Sequence, residues 1–256
     1  NQYDWSQSIG NSSAGNANEN YIYMKAIFMV PSDGTGKKYP VLSGKSIVIA
    51  QTAIDHTKPY TTNTGTTQTI ANPELTVNLS NADFEVWLYP YEQKVQPGRT
   101  MFGSDVRNPN VPNMETLFAT SMRDMVLNPQ GKDSYAILKV DKTVDLNKLP
   151  EYAIPTVRTI TSSTTLYPQL PAKFILDAVE VEAIISSDQT PRRLPMAYDS
   201  GATSITGGPY SSQSIIRKTA KTVGGRRVLQ DTNNSRTDFS VLTKANPSKD
   251  NASFLD

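Results

Sequence analysis

The sequence predicts a mainly β protein, a sandwich with long loops and a few short helical turns. Three observations predict it. The apolar residues come in bursts of strand length, rich in Ile, Val, Tyr and Phe. Loops rich in Asn, Ser, Thr, Gly and Pro separate those bursts. No segment carries a helical repeat longer than about three turns. No break in composition marks a linker, and no internal repeat is visible, so the reading is one domain at 38–256. The polar segment 1–37, which includes the first strand, joins that domain.

The clearest strand candidates are YIYMKAIFMV (21–30), KSIVIA (45–50), FEVWLYP (84–90), SYAILKV (134–140) and AKFILDAVEVEAII (172–185). In the last of these, VEVEAI alternates apolar and acidic residues, which predicts one wet face. SIIRK and RRVLQ are shorter candidates. One helical turn is predicted over 50–57, and another in VDLNKLPEY (144–152), stopping before Pro150. NMETLFATSMRDMVL (113–127) fits either a short helix or a pair of strands. Long loops fall at 8–20, 55–72, 90–113 and 186–213. Loops of this length bind something or pack on the surface.

Bulk numbers exclude several classes. The net charge is +1, so no field collects nucleic acid, and none draws the chain to a membrane by charge alone. There is no cysteine, which rules out disulfides, thiolate catalysis and zinc–cysteine sites. No run of 18 apolar residues spans a bilayer. The first ten residues have neither a basic start nor an apolar centre. The expectation is a cytosolic protein, or a mature or truncated form of an exported one.

His56 is the single histidine and follows Asp55 in AIDHTKPY, which ends at Tyr60. A His–Asp pair can act as a base and its orienter, but a nucleophile is also required, and no G-x-S-x-G is present. The plainer reading is a structural or surface histidine. Asn81, Asp83 and Glu85 alternate into FEVW and would share a strand face whose oxygens suit calcium. The calcium-loop pattern is absent, and a turn entering a strand explains them as well. Asn108, Asn110 and Asn113 lie in the proline-rich DVRNPNVPNM, a rigid loop that either caps its own turns or meets a partner. Trp5, Trp87, Tyr89, Tyr91 and Tyr210 could stack on sugar rings, but Trp87 and Tyr89 would share one strand face, more often core than platform. SGATSITGGPY (200–210) lacks the context of a phosphate loop. No cofactor is expected.

The stretch SIIRKTAKTVGGRRVLQDTNNSRTDF (214–239) predicts a strand, a turn at Gly224-Gly225 and a second strand. A self-bonded exit from the last strand then follows. Asp231 accepts from amides ahead of it, and Asn233 or Asn234 tolerates left-handed backbone. Asp238 repeats the device before Phe239, which plugs the core.

This segment, together with ANPSKDNAS, resembles the end of a lamin-tail domain, where a strand closing on Arg, here Arg217, precedes Asp231, Thr232, Asn233, Asn234, Asp238 and Phe239. YPVLSGKSIVIAQ and KFILDAVEVE resemble other parts of that family. KSIVIAQTAIDHT, NPELTVNLSNADFEVW, DVRNPNVPNM and KDSYAILKV resemble a narrower group of lamin-tail-like lipoproteins from Bacteroidetes, over roughly residues 38–250. The resemblance implies an immunoglobulin-like β-sandwich, export, and a lipid anchor at an upstream cysteine, facing the cell surface or the periplasm. It implies no reaction. The family's opening strand is not found, so an unseen segment or a partner should cover an exposed edge.

The resemblance therefore predicts a non-enzymatic binding or accessory subunit. Its partners would be an outer-membrane TonB-dependent transporter or other lipoprotein subunits that handle peptides, glycans or a metal chelate. Nucleic acid is excluded as a partner, and the membrane is met only through the anchor. The alternatives are a hydrolase using His56 with Asp55, Asp83 or Glu85, and a structural or adhesive module.

Overall fold

A computed structural model describes residues 20–120, 133–153, 159–190 and 192–250. The polar segment before residue 20, with Trp5, and the part of 113–127 beyond 120 lie outside the described residues. The described chain is mainly β with short helices and no closed barrel, an arrangement consistent with a sandwich. No helix among the described residues is long and apolar enough to cross a membrane. The chain forms two compact units. One holds the described residues within Asn1–Lys25, Asn128–Pro209 and Asp231–Phe239, and the second holds those within Ala26–Leu127, Tyr210–Gln230 and Ser240–Asp256. Strands are numbered in chain order.

In the first unit, β1 (Tyr21–Tyr23), β10 (Tyr167–Pro171) and β9 (Glu151–Tyr152) form an antiparallel sheet, with Ile22 opposite Leu170. A second pair joins β8 (Ser134–Leu138) to β11 (Ile175–Glu180). Ile22, Leu170, Ala172, Ile175 and Leu194 make the core, with Leu138, Val144, Leu146 and Phe174 packed on it. Each fully buried aliphatic contributes about 1.5–3 kcal/mol. The helical turn predicted over 144–152 does not form. Asp141 accepts the Thr143 N–H and Asp145 accepts the Asn147 N–H, so two aspartate turns follow each other instead. Short acidic side chains that bond their own backbone compete with a helix in this way.

The wet face predicted for VEVEAI is also corrected. Glu180 points inward and is buried, while Leu176, on the same strand, is exposed. The reason is a demand for acceptors inside the unit, where the Arg193 and Leu194 amides meet the Glu180 side chain.

In the second unit, β2 (Ala26–Met29) pairs antiparallel with β7 (Glu115–Ala119), and β3 (Ile49–Ala50) pairs parallel with β6 (Phe84–Glu85). The burst YIYMKAIFMV is thus two strands, one in each unit, rather than one. β4 (Tyr60–Thr61) pairs with β5 (Thr67–Gln68), β12 (Ser214–Arg217) with β15 (Phe239–Leu242), and β13 (Thr219–Val223) with β14 (Arg226–Leu229). Between β13 and β14, Gly224 and Gly225 both take positive φ, 56° and 77°, as a tight primed hairpin turn requires. Phe84, Val86, Leu88 and Met114 form one core cluster here, and Ala50, Ala53, Ala82 and Val111 another.

FEVWLYP does not continue as a strand. It leaves β6 after Glu85 and enters α1 (Tyr89–Val95), with Pro90 in the first turn, where a missing N–H costs nothing. Trp87 and Tyr89 therefore do not share a strand face. Their rings meet tilted, with centroids 5.6 Å apart. In α1, Glu92 is buried and pairs with Arg99 at 2.7 Å.

Candidate functional site

In the second unit the loop that carries Asn108 gathers on one carboxylate, that of Glu85. β6 carries Glu85 into the interior, where its side chain is 0% exposed. It accepts the N–H of Ala53 at 3.3 Å and the N–H of Asn108 at 3.2 Å. Arg107 Nε lies 3.6 Å from Oε1. Burial raises the Glu85 carboxyl above its ordinary value, while the Asn108 and Ala53 amides and the Arg107 charge pull it part of the way back. The strand-face trio separates. Asp83 accepts from the Val48 N–H and meets Lys249 Nζ at 2.8 Å, and Asn81 lies exposed. Among the described residues, no group of three or more His, Cys, Asp or Glu is placed to hold a metal ion.

The loop DVRNPNVPNM hangs on this carboxylate. Asn108 donates to the carbonyls of Ala53 at 2.8 Å and Ser80 at 3.0 Å, and its Oδ1 accepts the Asn110 N–H. Asn113 acts as a substitute strand. Its Oδ1 accepts the Trp87 N–H at 2.7 Å, and its Nδ2 donates to the Trp87 carbonyl at 3.0 Å. Arg107 lies over the Trp87 ring at 5.2 Å. Asn108 and Asn113 thus satisfy backbone groups that the irregular loop would otherwise leave open. Arg107, Pro109, Asn110 and Pro112 face outward.

His56 and Asp55 are used locally. The His56 Nε2 sits 2.9 Å from the Thr52 carbonyl oxygen, and Thr76 donates to the His56 carbonyl. Asp55 accepts from the Thr57 amide and hydroxyl and pairs with Lys58 at 3.3 Å. The Thr57 hydroxyl, aided by its amide and by Lys58, holds the Asp55 carboxyl below its ordinary value. Tyr60 pairs with Gln68 across the small β4–β5 ladder.

In the first unit, a network of buried acids does the corresponding work. Glu180 accepts the Leu194 N–H at 3.0 Å and the Arg193 N–H at 3.3 Å. Asp199 accepts from the N–H groups of Glu180, Gly201 and Ser235 and from the Ser235 hydroxyl. Desolvation raises the Glu180 carboxyl first of all. The Leu194 amide, Ser134 and the Arg193 amide oppose that rise, and the nearby Asp199 adds to it.

The run after β14 bonds to itself. Asp231 accepts the Asn233 N–H, and Asn233 is left-handed at φ 53°. Asp238 reaches backward rather than ahead, accepting from the Thr232 amide and hydroxyl and the Asn234 amide. Asn234 caps α2 (Ser235–Asp238) through the Arg236 N–H. Ser235 and Asp238 are the buried side chains, whereas Phe239 is half-buried and opens β15, so the segment is not the exit from the last strand. In the second unit, Arg217 donates to the Gln230 carbonyl at 3.0 Å.

Sequence reasoning missed Glu92, Glu180, Asp199 and Ser235. A signal existed for Glu180, as for Glu85: an acid set between two apolar residues, in VEV and FEV. Asp199 and Ser235 sit in ordinary turn composition and carry none.

The fold and the site together define a mainly β protein whose inward polar side chains satisfy loop backbone. The chain belongs to the family described as "Protein of unknown function (DUF4876)", which matches residues 43–246. A crystal structure at 2.50 Å of a DUF4876 family protein from Bacteroides thetaiotaomicron VPI-5482 is similar to it, with a TM-score of 0.62 and 24% identity. The likeness covers 87% of this chain and 54% of that one, so the chain spans about half the length of that protein. It shows the fold alone. No curated protein matches the chain.

Proposed function

We propose that this chain is a lamin-tail-like exported lipoprotein that serves as a non-enzymatic binding or accessory subunit of an outer-membrane TonB-dependent nutrient-uptake complex. The observation that carries the reading is the loop 105–113. Glu85, Asn108 and Asn113 hold it from within while Arg107 and Asn110 stay outside. A loop fixed from below meets a partner with little ordering cost, and a β scaffold carries its function on such loops. The similar structure from Bacteroides agrees with the Bacteroidetes resemblance of the sequence. The His56 ring and the Asp55 carboxylate are engaged by Thr52, Thr57 and Lys58, which favours binding over hydrolysis.

The test is gentle extraction of the tagged protein from native outer membranes, followed by mass spectrometry. A stoichiometric TonB-dependent transporter is the expected companion. Its loss in Asn110→Lys, with the fold intact, would place the contact on this loop. Recovery of the chain alone sinks the subunit reading. The hydrolase and structural alternatives then separate by whether His56→Ala removes an activity.

A further inference from the structure

Two neighbouring turns of the second unit form a cationic, aliphatic-tipped surface. The first turn runs through Leu42–Lys45, closed by the Lys45 N–H on the Leu42 carbonyl at 3.0 Å, with Gly44 supplying the positive φ. The second is the tip of the β13–β14 hairpin. Arg226 joins them by donating to the Ser43 hydroxyl at 3.3 Å. Three aliphatic side chains stand out into solvent here: Val41 is 58% exposed, Leu42 65% and Val223 57%. Ile47 and Ile49 follow on the first segment, both also exposed. The hairpin register places Lys221, Val223 and Arg226 on one face.

The charge around these tips is one-sided. Residues 34–50 hold Lys37, Lys38 and Lys45, and residues 214–230 hold five further cations, with no acid in either stretch. A chain of net charge +1 has gathered eight cations into these two segments. Asp83 lies against the first segment, but its carboxylate is engaged by the Val48 N–H and Lys249. Asp33 precedes the first segment and bears on Lys38, its carboxylate taken by the Thr35 amide and hydroxyl, and the exposed Asp250 follows Lys249. Two turns with aliphatic tips and flanking cations match a layer of anionic headgroups over hydrocarbon. The cations meet the phosphates, and the aliphatic tips leave water for the acyl boundary. An acidic protein or polysaccharide would use the charge but leave the aliphatic tips wet.

We propose that the Leu42–Lys45 turn and the β13–β14 hairpin form a docking surface for an anionic lipid membrane, in addition to any anchor. The proposal is independent of the accessory-subunit reading, and either stands if the other fails.

Cosedimentation with phosphatidylcholine vesicles, and with vesicles of phosphatidylcholine mixed with phosphatidylglycerol, tests it. Binding is expected only with the anionic lipid, falling as sodium chloride rises. Lys221→Gln with Arg226→Gln should weaken it on the order of 30-fold. Val41→Ser with Leu42→Ser should weaken it as well, which distinguishes insertion from charge alone. Leu176→Ser, an exposed aliphatic of the first unit, should bind as the parent does. Absence of lipid binding by the parent protein, binding indifferent to anionic lipid, or equal loss in Leu176→Ser overturns the proposal. Retention on an acidic polysaccharide without vesicle binding overturns it in favour of a carbohydrate partner. The salt dependence of the parent protein decides the matter if a variant fails to fold.

Discussion

Asp199 accepts the backbone N–H of Glu180 at 2.8 Å, so one buried acid anchors the strand that carries another. Glu180 then turns its own carboxylate to the Arg193 and Leu194 amides. The unit uses two buried carboxyl side chains to tie three separate segments together, since each segment brings N–H groups to them.

Truncating Glu180 removes the acceptor of the buried Leu194 amide and the half-buried Arg193 amide. Glu180→Ala is expected to cost about 2–4 kcal/mol. Glu180→Gln should cost less, since its amide oxygen still accepts. Urea midpoints of the three proteins check the order, and equal stability of Glu180→Ala and the parent would show that the amides are satisfied otherwise.

Stability should depend on Glu180 charge with a defined sign. Its carboxyl is raised in the fold, so the folded chain holds that proton more tightly than the unfolded one. The stabilisation is full below the ordinary value of 4.5 and is lost as pH rises through the folded value. Glu85 acts in the same direction. The turn aspartates Asp33, Asp55, Asp141 and Asp145 are lowered, and their contribution is lost only as pH falls below 3.8. Unfolding measured upward from pH 4.5 should therefore show a decline that Glu180→Gln reduces. A rise in stability over that range would contradict the assignment.

Asn113 should behave as backbone in side-chain form. Asn113→Ala opens both the N–H and the carbonyl of Trp87, an expected loss of about 1–3 kcal/mol. Asn113→Asp keeps the acceptor and loses the donor, so it should fall between. Amide exchange at Trp87 reports the lost bond directly.

Gly201 is held small by Asn234. A Cβ at position 201 would sit 1.9 Å from the Asn234 Oδ1. Gly201→Ala is expected to cost about 1–3 kcal/mol, as overpacking does. Asn234→Ala alone loses the cap of α2, about 1 kcal/mol. The double variant should cost less than the sum, because removing Asn234 clears the space. Strict additivity in thermal unfolding would rule out the clash.

The β13–β14 turn offers a backbone test. Gly224→Asn should be nearly neutral, since Asn tolerates positive φ. Gly225→Val should cost about 1–2 kcal/mol, since a β-branched residue does not. Hydrogen exchange confined to 219–229 would show the loss as local to the hairpin.

Much of this arrangement is legible in the sequence by itself. Strand-length bursts such as SYAIL and ILDAVE give the β class, because period and side-chain branching act within a few residues. Gly224-Gly225 foretells its hairpin, and Asp231 with Asn233 foretells a self-bonded turn, since those bonds span two residues. Tertiary structure alone decided the rest. The break of YIYMKAIFMV between two units is one such outcome. The inward turn of Glu85 and Glu180 meets amides brought from residues 53, 108, 193 and 194. An acid in a strand reads as a wet face until the chain folds. It becomes an interior acceptor only when distant loops arrive with unpaired N–H groups, and no local pattern records their arrival.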